Sequence, residues 1–136
     1  MAATLRLEIV TPDATVYSQD VHMVTLPAID GQIGIFPRHV PVLTRIVPGE
    51  IIVRKNDETE FLAIGEGLVE ITGDRVAIAT DMAVAVKDID EAQAEEARRR
   101  AEARLHDKIS DGEVATVNAA LARSLAQLRV KRRHRG

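Results

Sequence analysis

The sequence predicts an α+β chain: an antiparallel β-sandwich or barrel, followed by a two-helix antiparallel hairpin. Three observations predict it. Apolar residues alternate through residues 1–87, which is the two-residue period of half-buried strands. Turn residues cut that stretch into short runs about 8–12 residues apart, as in all-β domains. Beyond Lys87-Asp88 the apolar spacing becomes three and four, the period of a helix face.

The strands come first. Leu5, Leu7 and Ile9 face one way while Thr4, Arg6 and Glu8 face the other. Similar runs recur at 21–26, 33–36, 42–46, 51–54, 61–64, 68–71, 76–79 and 84–86. Pro12-Asp13, Asp30-Gly31, Pro48-Gly49, Asn56-Asp57, Gly65-Glu66-Gly67 and Gly73-Asp74 separate them. Gly65-Glu66-Gly67 reads as a hairpin turn or bulge. No long helical run interrupts this half, so parallel βαβ topology is not expected.

The helices follow. Asp88 with Glu91 reads as a capping-box start, and Ala94, Ala97, Ala101, Leu105 and Ile109 form one stripe. The break is expected at Ser110-Asp111-Gly112. Ser110 with Glu113 reads as a second capping box, opening a stripe of Val114, Val117, Leu121, Leu125 and Leu128. So short a connection folds two helices back on each other. Their core is thin, so the hairpin depends on what it packs against.

Composition narrows the function. The 136 residues hold 46% hydrophobic residues, enough for one or two small domains and too many for a disordered chain. There is no cysteine, so a disulfide scaffold, a thiol nucleophile and a Cys-based zinc site are excluded. No secretory signal is read at the start. No apolar run approaches the roughly 18–20 residues that cross a bilayer. Aromatic residues are Tyr17, Phe36 and Phe61 alone, a poor supply for stacking nucleic-acid bases. Residues 1–87 carry seven Lys/Arg against twelve Asp/Glu; residues 88–136 carry eleven against nine. The end is the most biased: Arg123, Arg129, Lys131, Arg132, Arg133 and Arg135 come with no acid. Such an end suits an acidic partner, or water.

Catalytic constellations are missing. His22, His39, His106 and His134 make no i,i+4 pair, and no serine sits in a G-x-S-x-G context. Gly31-x-x-Gly34 lacks the Lys-Ser/Thr of a P-loop. No metal and no cofactor is expected. The most distinctive segment is Gly31-Gln32-Ile33-Gly34-Ile35-Phe36-Pro37-Arg38-His39-Val40-Pro41. Its glycines permit a tight connection. Its prolines remove two donors, so the chain is expected to leave the ladder here and form a rigid binding loop. His39 either serves binding or satisfies backbone groups beside the prolines.

That segment resembles the G-x-x-G-x-[aromatic or Leu]-P-x-H-x-P signature of the ε subunit of F-type ATP synthases. Further blocks resemble the family in order: Leu7-x-Ile9-Val10-Thr11-Pro12, Pro48-Gly49-Glu50-Ile51, Gly65 to Ile71, Val76 to Asp81, Ile89-Asp90-Glu91-Ala92, and Leu121 to Val130. The resemblance implies a sandwich of about ten strands (residues 1–87) that binds stalk and ring, then a mobile regulatory hairpin (residues 88–136). It implies a non-catalytic rotor subunit that couples proton flow to ATP synthesis and restrains ATP hydrolysis through its helices. The implied partners are the γ subunit, the c-ring and the catalytic β and α subunits, with no nucleic acid. The implied place is the cytoplasmic face of the bacterial plasma membrane, reached only through the complex.

The resemblance also assigns sites. Gly31, Gln32, Gly34, Phe36, Pro37, His39 and Pro41 match the ring- and γ-facing loop, with Gln32 where many relatives carry an acid. Arg123, Arg129, Lys131, Arg132 and Arg133 make a regulatory basic helix. Some bacterial relatives bind ATP through [IL]-D-x-x-R-A. Here that motif is Ile89-Asp90-Glu91-Ala92-Gln93-Ala94, so Gln93 replaces its arginine, with Arg98 and Arg99 nearby as substitutes. The alternative to a stalk subunit is a free-standing adaptor of the same architecture.

Overall fold

The computed structural model describes residues 3–134. Ten strands come first: β1 (Leu5–Val10), β2 (Thr15–Val21), β3 (Met23–Ala28), β4 (Gly31–Ile35), β5 (His39–Ile46), β6 (Gly49–Lys55), β7 (Glu58–Ile64), β8 (Gly67–Gly73), β9 (Arg75–Thr80) and β10 (Ala83–Ala85). A 3₁₀ turn at Val86–Asp88 leads to α1 (Glu91–Leu105) and α2 (Asp111–Arg133).

The strands pair in the order β10-β7-β6-β3-β5-β8-β9-β1-β2, with β4 on β3. The two halves meet in a narrow join, β3 pairing β5 only at Ala28 with Ile46. Alternation buries one face of each half. Leu5, Leu7, Ile9, Val24, Leu26, Ile51, Val53, Leu62, Ile64, Val69, Ile71, Val76 and Ile78 are all at most 2% exposed and form one core. Side chains also tie the β2 edge to the other half. The Tyr17 hydroxyl donates to Glu60 at 3.1 Å, and Lys55 holds both Gln19 and Glu60. Burial, then Glu60, push the Tyr17 hydroxyl well above its ordinary pKa, so it remains a donor at any physiological pH.

The antiparallel sandwich followed by two helices is as expected, with several differences. The pair β1–β9 is parallel. The run at 21–26 is two strands divided at His22. Strand β2 had no legible alternation, because on this edge only Tyr17 and Val21 are buried. Gly65-Glu66-Gly67 is no hairpin turn, since β7 and β8 lie in different halves. It is a crossing: Gly65 N–H donates to the Met82 carbonyl at 2.9 Å. Gly67 then passes so close to β9 that a methyl group there would lie 2.0 Å from the Ala79 carbonyl oxygen.

The helices also differ in detail. The first cap is Asp90, whose carboxylate accepts from Gln93 N–H at 3.1 Å; Asp88 is spent in the 3₁₀ turn. Helix α1 stops at Leu105, so Ile109 lies outside it, and Asp111 and Gly112 already belong to α2. Ser110 caps α2 by accepting from Glu113 N–H at 3.2 Å, while the Glu113 carboxylate turns to Arg104 at 2.7 Å. Leu128 is buried as expected, but Leu125 is 38% exposed, and Ser124, Ala126 and Val130 are buried as well. The reason is that α2 has two neighbours. It packs along α1, and Ala126 and Val130 also reach Ala63, Met82 and Ile89 on the sandwich side.

Two contrasting glycine environments give a stability test. Gly67→Ala drives a methyl into backbone and should cost about 1–3 kcal/mol, lowering the melting temperature by several degrees. Gly112→Ala meets nothing within 4 Å and should be neutral or slightly stabilising. Thermal denaturation followed by circular dichroism compares them.

Candidate functional site

The 31–41 segment is less of a loop than expected. Gly31 to Ile35 is an edge strand hydrogen-bonded to β3. Gly31 takes φ +125° in the turn that starts it, a conformation costly for any residue with a Cβ. The chain leaves the ladder only at Phe36, Pro37 and Arg38. Arg38 is held at φ +66° while its backbone N–H donates to Asp74 at 2.9 Å. Strand β5 then runs through Pro41. Its register against β8 slips between His39 and Val42, and this bulge absorbs the donor that proline lacks. His39 Nδ1 donates to the Val40 carbonyl at 2.6 Å. The ring thus satisfies backbone beside Pro41.

The seven residues do not converge on a pocket. Gln32 and Gly34 lie exposed along an edge, Phe36 projects 58% exposed at the tip, and His39 and Pro41 begin the next strand. Beside them stands an apolar surface that sequence reasoning did not single out. Val40 and Leu43 are 68% and 69% exposed, and Leu68 is 51% exposed. Cross-strand register aligns Arg45, Leu68, Ala79 and Val10 in one row over β5, β8, β9 and β1. A shallow groove of about 600 Å³ lies along that row. The alternation pointed to it, since Leu43 and Leu68 are out of phase with the buried Val69 and Ile71.

The basic helix meets acids within its own chain. Arg123 pairs with Asp81 at 3.1 Å. Lys131 donates to the Val86 carbonyl at 3.1 Å. Arg132 bridges to Glu91 at 2.9 Å and Glu95 at 3.0 Å on α1. Arg133 reaches Glu50 on β6 at 3.2 Å. The Arg129 side chain alone makes no hydrogen bond or ion pair among the described residues; Arg135 lies outside the described residues. Arg98, then Arg132, hold the Glu95 carboxyl below the usual carboxylate range despite some opposing burial. Glu91 and Glu95 in turn raise the Arg132 guanidinium.

The nucleotide candidates are not gathered. The Asp90 carboxylate is occupied as a helix cap. Gln93 lines a groove of about 290 Å³ with Arg100, Ser124 and Gln127. Arg98 opens onto a different groove, beside Arg129 and Arg132, and is itself paired with Glu95 and Glu102. Arg99 sits 3.6 Å from Glu95. Among the described residues no three His, Asp or Glu side chains converge to hold a metal.

Comparison with known proteins agrees with this architecture. Residues 4–86 match the family "ATP synthase, Delta/Epsilon chain, beta-sandwich domain". Residues 87–132 match "ATP synthase, Delta/Epsilon chain, long alpha-helix domain". The ATP synthase epsilon chain of Halorhodospira halophila is 43% identical over 93% of this chain and 92% of its own length. That of Herpetosiphon aurantiacus is 40% identical over 96% of each. Among solved structures, a chain of the Euglena gracilis mitochondrial ATP synthase (OSCP/F1/c-ring) superimposes with TM-score 0.71 at 20% identity, over 88% of this chain and 76% of that one. A chain of the Tetrahymena thermophila mitochondrial ATP synthase central stalk and c-ring gives 0.63 at 12% identity, over 96% of each. With two family patterns in tandem over nearly its whole length and relatives at 43% and 40% identity that are epsilon chains, this chain belongs to the ATP synthase delta/epsilon family, in its epsilon branch.

Proposed function

We propose that the chain is a non-catalytic subunit of the rotor, coupling proton flow to ATP synthesis and restraining ATP hydrolysis. The observation that carries this reading is its division of labour. A rigid sandwich presents a fixed apolar face, while a helical hairpin is held to it by a small seam and several ion pairs. The sandwich, residues 1–87, attaches the subunit to γ and to the c-ring. The exposed Leu68 and Val10, with Leu43 farther along β5, give γ an apolar patch, and the Phe36–Pro37 tip with the Gln32 edge faces the ring. Gln32 brings hydrogen bonds there, not charge.

The hairpin, residues 88–136, is the regulatory part. When it extends towards the α and β subunits, Arg123, Lys131, Arg132 and Arg133 exchange the acids and carbonyl of their own chain for acidic surfaces on β, and Arg129 joins them there. The exchange swaps like contacts for like, so the balance between the two positions stays close. No helix among the described residues is long and apolar enough to cross a membrane. In this reading the subunit reaches the cytoplasmic face of the bacterial plasma membrane through its partners.

A chain ending near Asp88 should still co-purify with γ and still couple, through an interface on the order of 1,200–2,000 Å². Loss of γ from that preparation would overturn the division of labour. Two sets of substitutions should move ATP hydrolysis by the assembled enzyme in opposite directions. Alanine at Arg129, Lys131, Arg132 and Arg133 removes the charges wherever the hairpin lies and should raise hydrolysis about two- to fivefold, each exposed pair being weak alone. Glu91→Gln with Glu95→Gln frees Arg132 without changing the basic helix and should lower hydrolysis. Equal rates in both would mean the charges only solubilise the helix. The isolated chain should bind ATP weakly or not at all, because an amide at position 93 cannot make the forked, charge-assisted phosphate contact of a guanidinium. Gln93→Arg should tighten binding about tenfold by titration calorimetry; a low-micromolar site indifferent to that change would contradict it.

A further inference from the structure

The sandwich is acidic, with seven Lys/Arg against twelve Asp/Glu in residues 1–87. Three of those cations, Arg6, Lys55 and Arg75, each pair with an acid. Arg38 and Arg54 do not. Their side chains make no hydrogen bond or ion pair among the described residues, and both line one groove of about 630 Å³.

Strand register builds this groove. Val24 of β3 pairs with Val53 on one side and Ile35 on the other, and all three are in the core. One residue nearer the strand ends, side chains turn to the outer face. There Met23 pairs with Arg54, and Phe36 follows β4 on the other side. Gly34 leaves room for Met23, whose Cε would lie 3.1 Å from a Cβ placed there. His22 stands beside them on the wall. Its Nδ1 accepts from the Asn56 N–H at 3.0 Å, so the ring proton is on Nε2, a third donor. No acid lines the groove among the described residues. Asp74 accepts from the Arg38 backbone N–H at 2.9 Å and is not on the wall; nor is Asp57.

We propose that this groove holds the head group of an anionic phospholipid, its phosphate on Arg38, Arg54 and His22 and its first apolar carbons on Phe36, Pro37 and Met23. Two guanidinium groups without acids call for an anion, and phosphate suits their fork. Both arginines are exposed, and exposed charge pairs hold a free anion weakly. The apolar half of the groove decides the source. Phe36 is 58% exposed and offers inorganic phosphate nothing. A lipid surface satisfies both halves, with cations among the head groups and an aromatic ring at the same depth. The acidic remainder of the sandwich turns other faces away from such a surface. The groove shares its Phe36–Pro37 wall with the tip proposed above to face the c-ring, so the inference rests on that reading for the source of the lipid and for nothing else.

The chain has no tryptophan, so Phe36→Trp gives the full-length protein a single reporter in the groove. Its emission should shift to the blue with phosphatidylglycerol vesicles and stay unchanged with phosphatidylcholine vesicles. Ile29→Trp, at a site 50% exposed beyond the opposite end of β3, should not respond. Arg38→Gln and Arg54→Gln, each added to Phe36→Trp, should weaken the lipid response about fivefold. No shift with phosphatidylglycerol, an equal shift with phosphatidylcholine, an equal response from Ile29→Trp, or indifference to both arginine changes would overturn the site. Inorganic phosphate or polyglutamate that displaces the vesicles better than sodium chloride of equal ionic strength would overturn the lipid in favour of a free phosphate or an acidic peptide. The titration needs no other subunit. Its failure leaves the rotor reading standing, whereas a lipid-binding chain that does not co-purify with γ overturns that reading and keeps the site.

Discussion

On its own side α2 brings only small apolar side chains to the contact with the sandwich, and the attachment of the hairpin depends on that. Ala126 and Val130 meet Ala63, Met82 and Ile89. Small residues bury little apolar area, and the driving force scales with area. The sandwich core, by contrast, is filled with Leu, Ile and Val at almost no exposure. One chain therefore contains a unit with a large apolar core and a unit attached to it through a small apolar seam. A larger seam would fix the hairpin permanently. A smaller one would leave two short helices without a surface to fold against.

The polar contacts complete the attachment without making it permanent. Arg123, Arg132, Arg133 and His134 each find an acid in the folded chain, and Lys131 finds a carbonyl. Such groups lose little when one acid is replaced by another in a similar setting. In the proposed function the basic helix trades partners inside the chain for partners outside it. Glu50 differs from the rest because it is buried, so leaving it without a partner costs more than breaking a surface pair.

Much of the fold could be read from the sequence. The two-residue period found β1 and the core strands because one face of each is fully buried. It missed β2, an edge strand with two buried residues. It could not show that Gly65 to Gly67 crosses between halves, because a crossing and a hairpin use the same residues. The second helix was read as having one apolar face. It has two, and Ala126 and Val130 looked like ordinary helix formers because alanine carries little periodic signal. The form of the 31–41 segment was not legible, since a bulge let Pro41 enter a strand. The acidic partners of the basic helix are scattered over Glu50, Asp81, Glu91 and Glu95, and only folding assembles them.

The central claim is that the hairpin restrains hydrolysis only when it leaves the sandwich. The most direct measurement holds it there. Asp81 and Arg123 already meet across the seam; cysteines at both positions, joined by a short thiol crosslinker that a reducing agent cleaves, would tether α2 in place. ATP hydrolysis by the assembled enzyme should be high while the tether is intact and should fall on reduction as the hairpin is freed. Identical rates before and after cleavage, with the stalk intact, would contradict it.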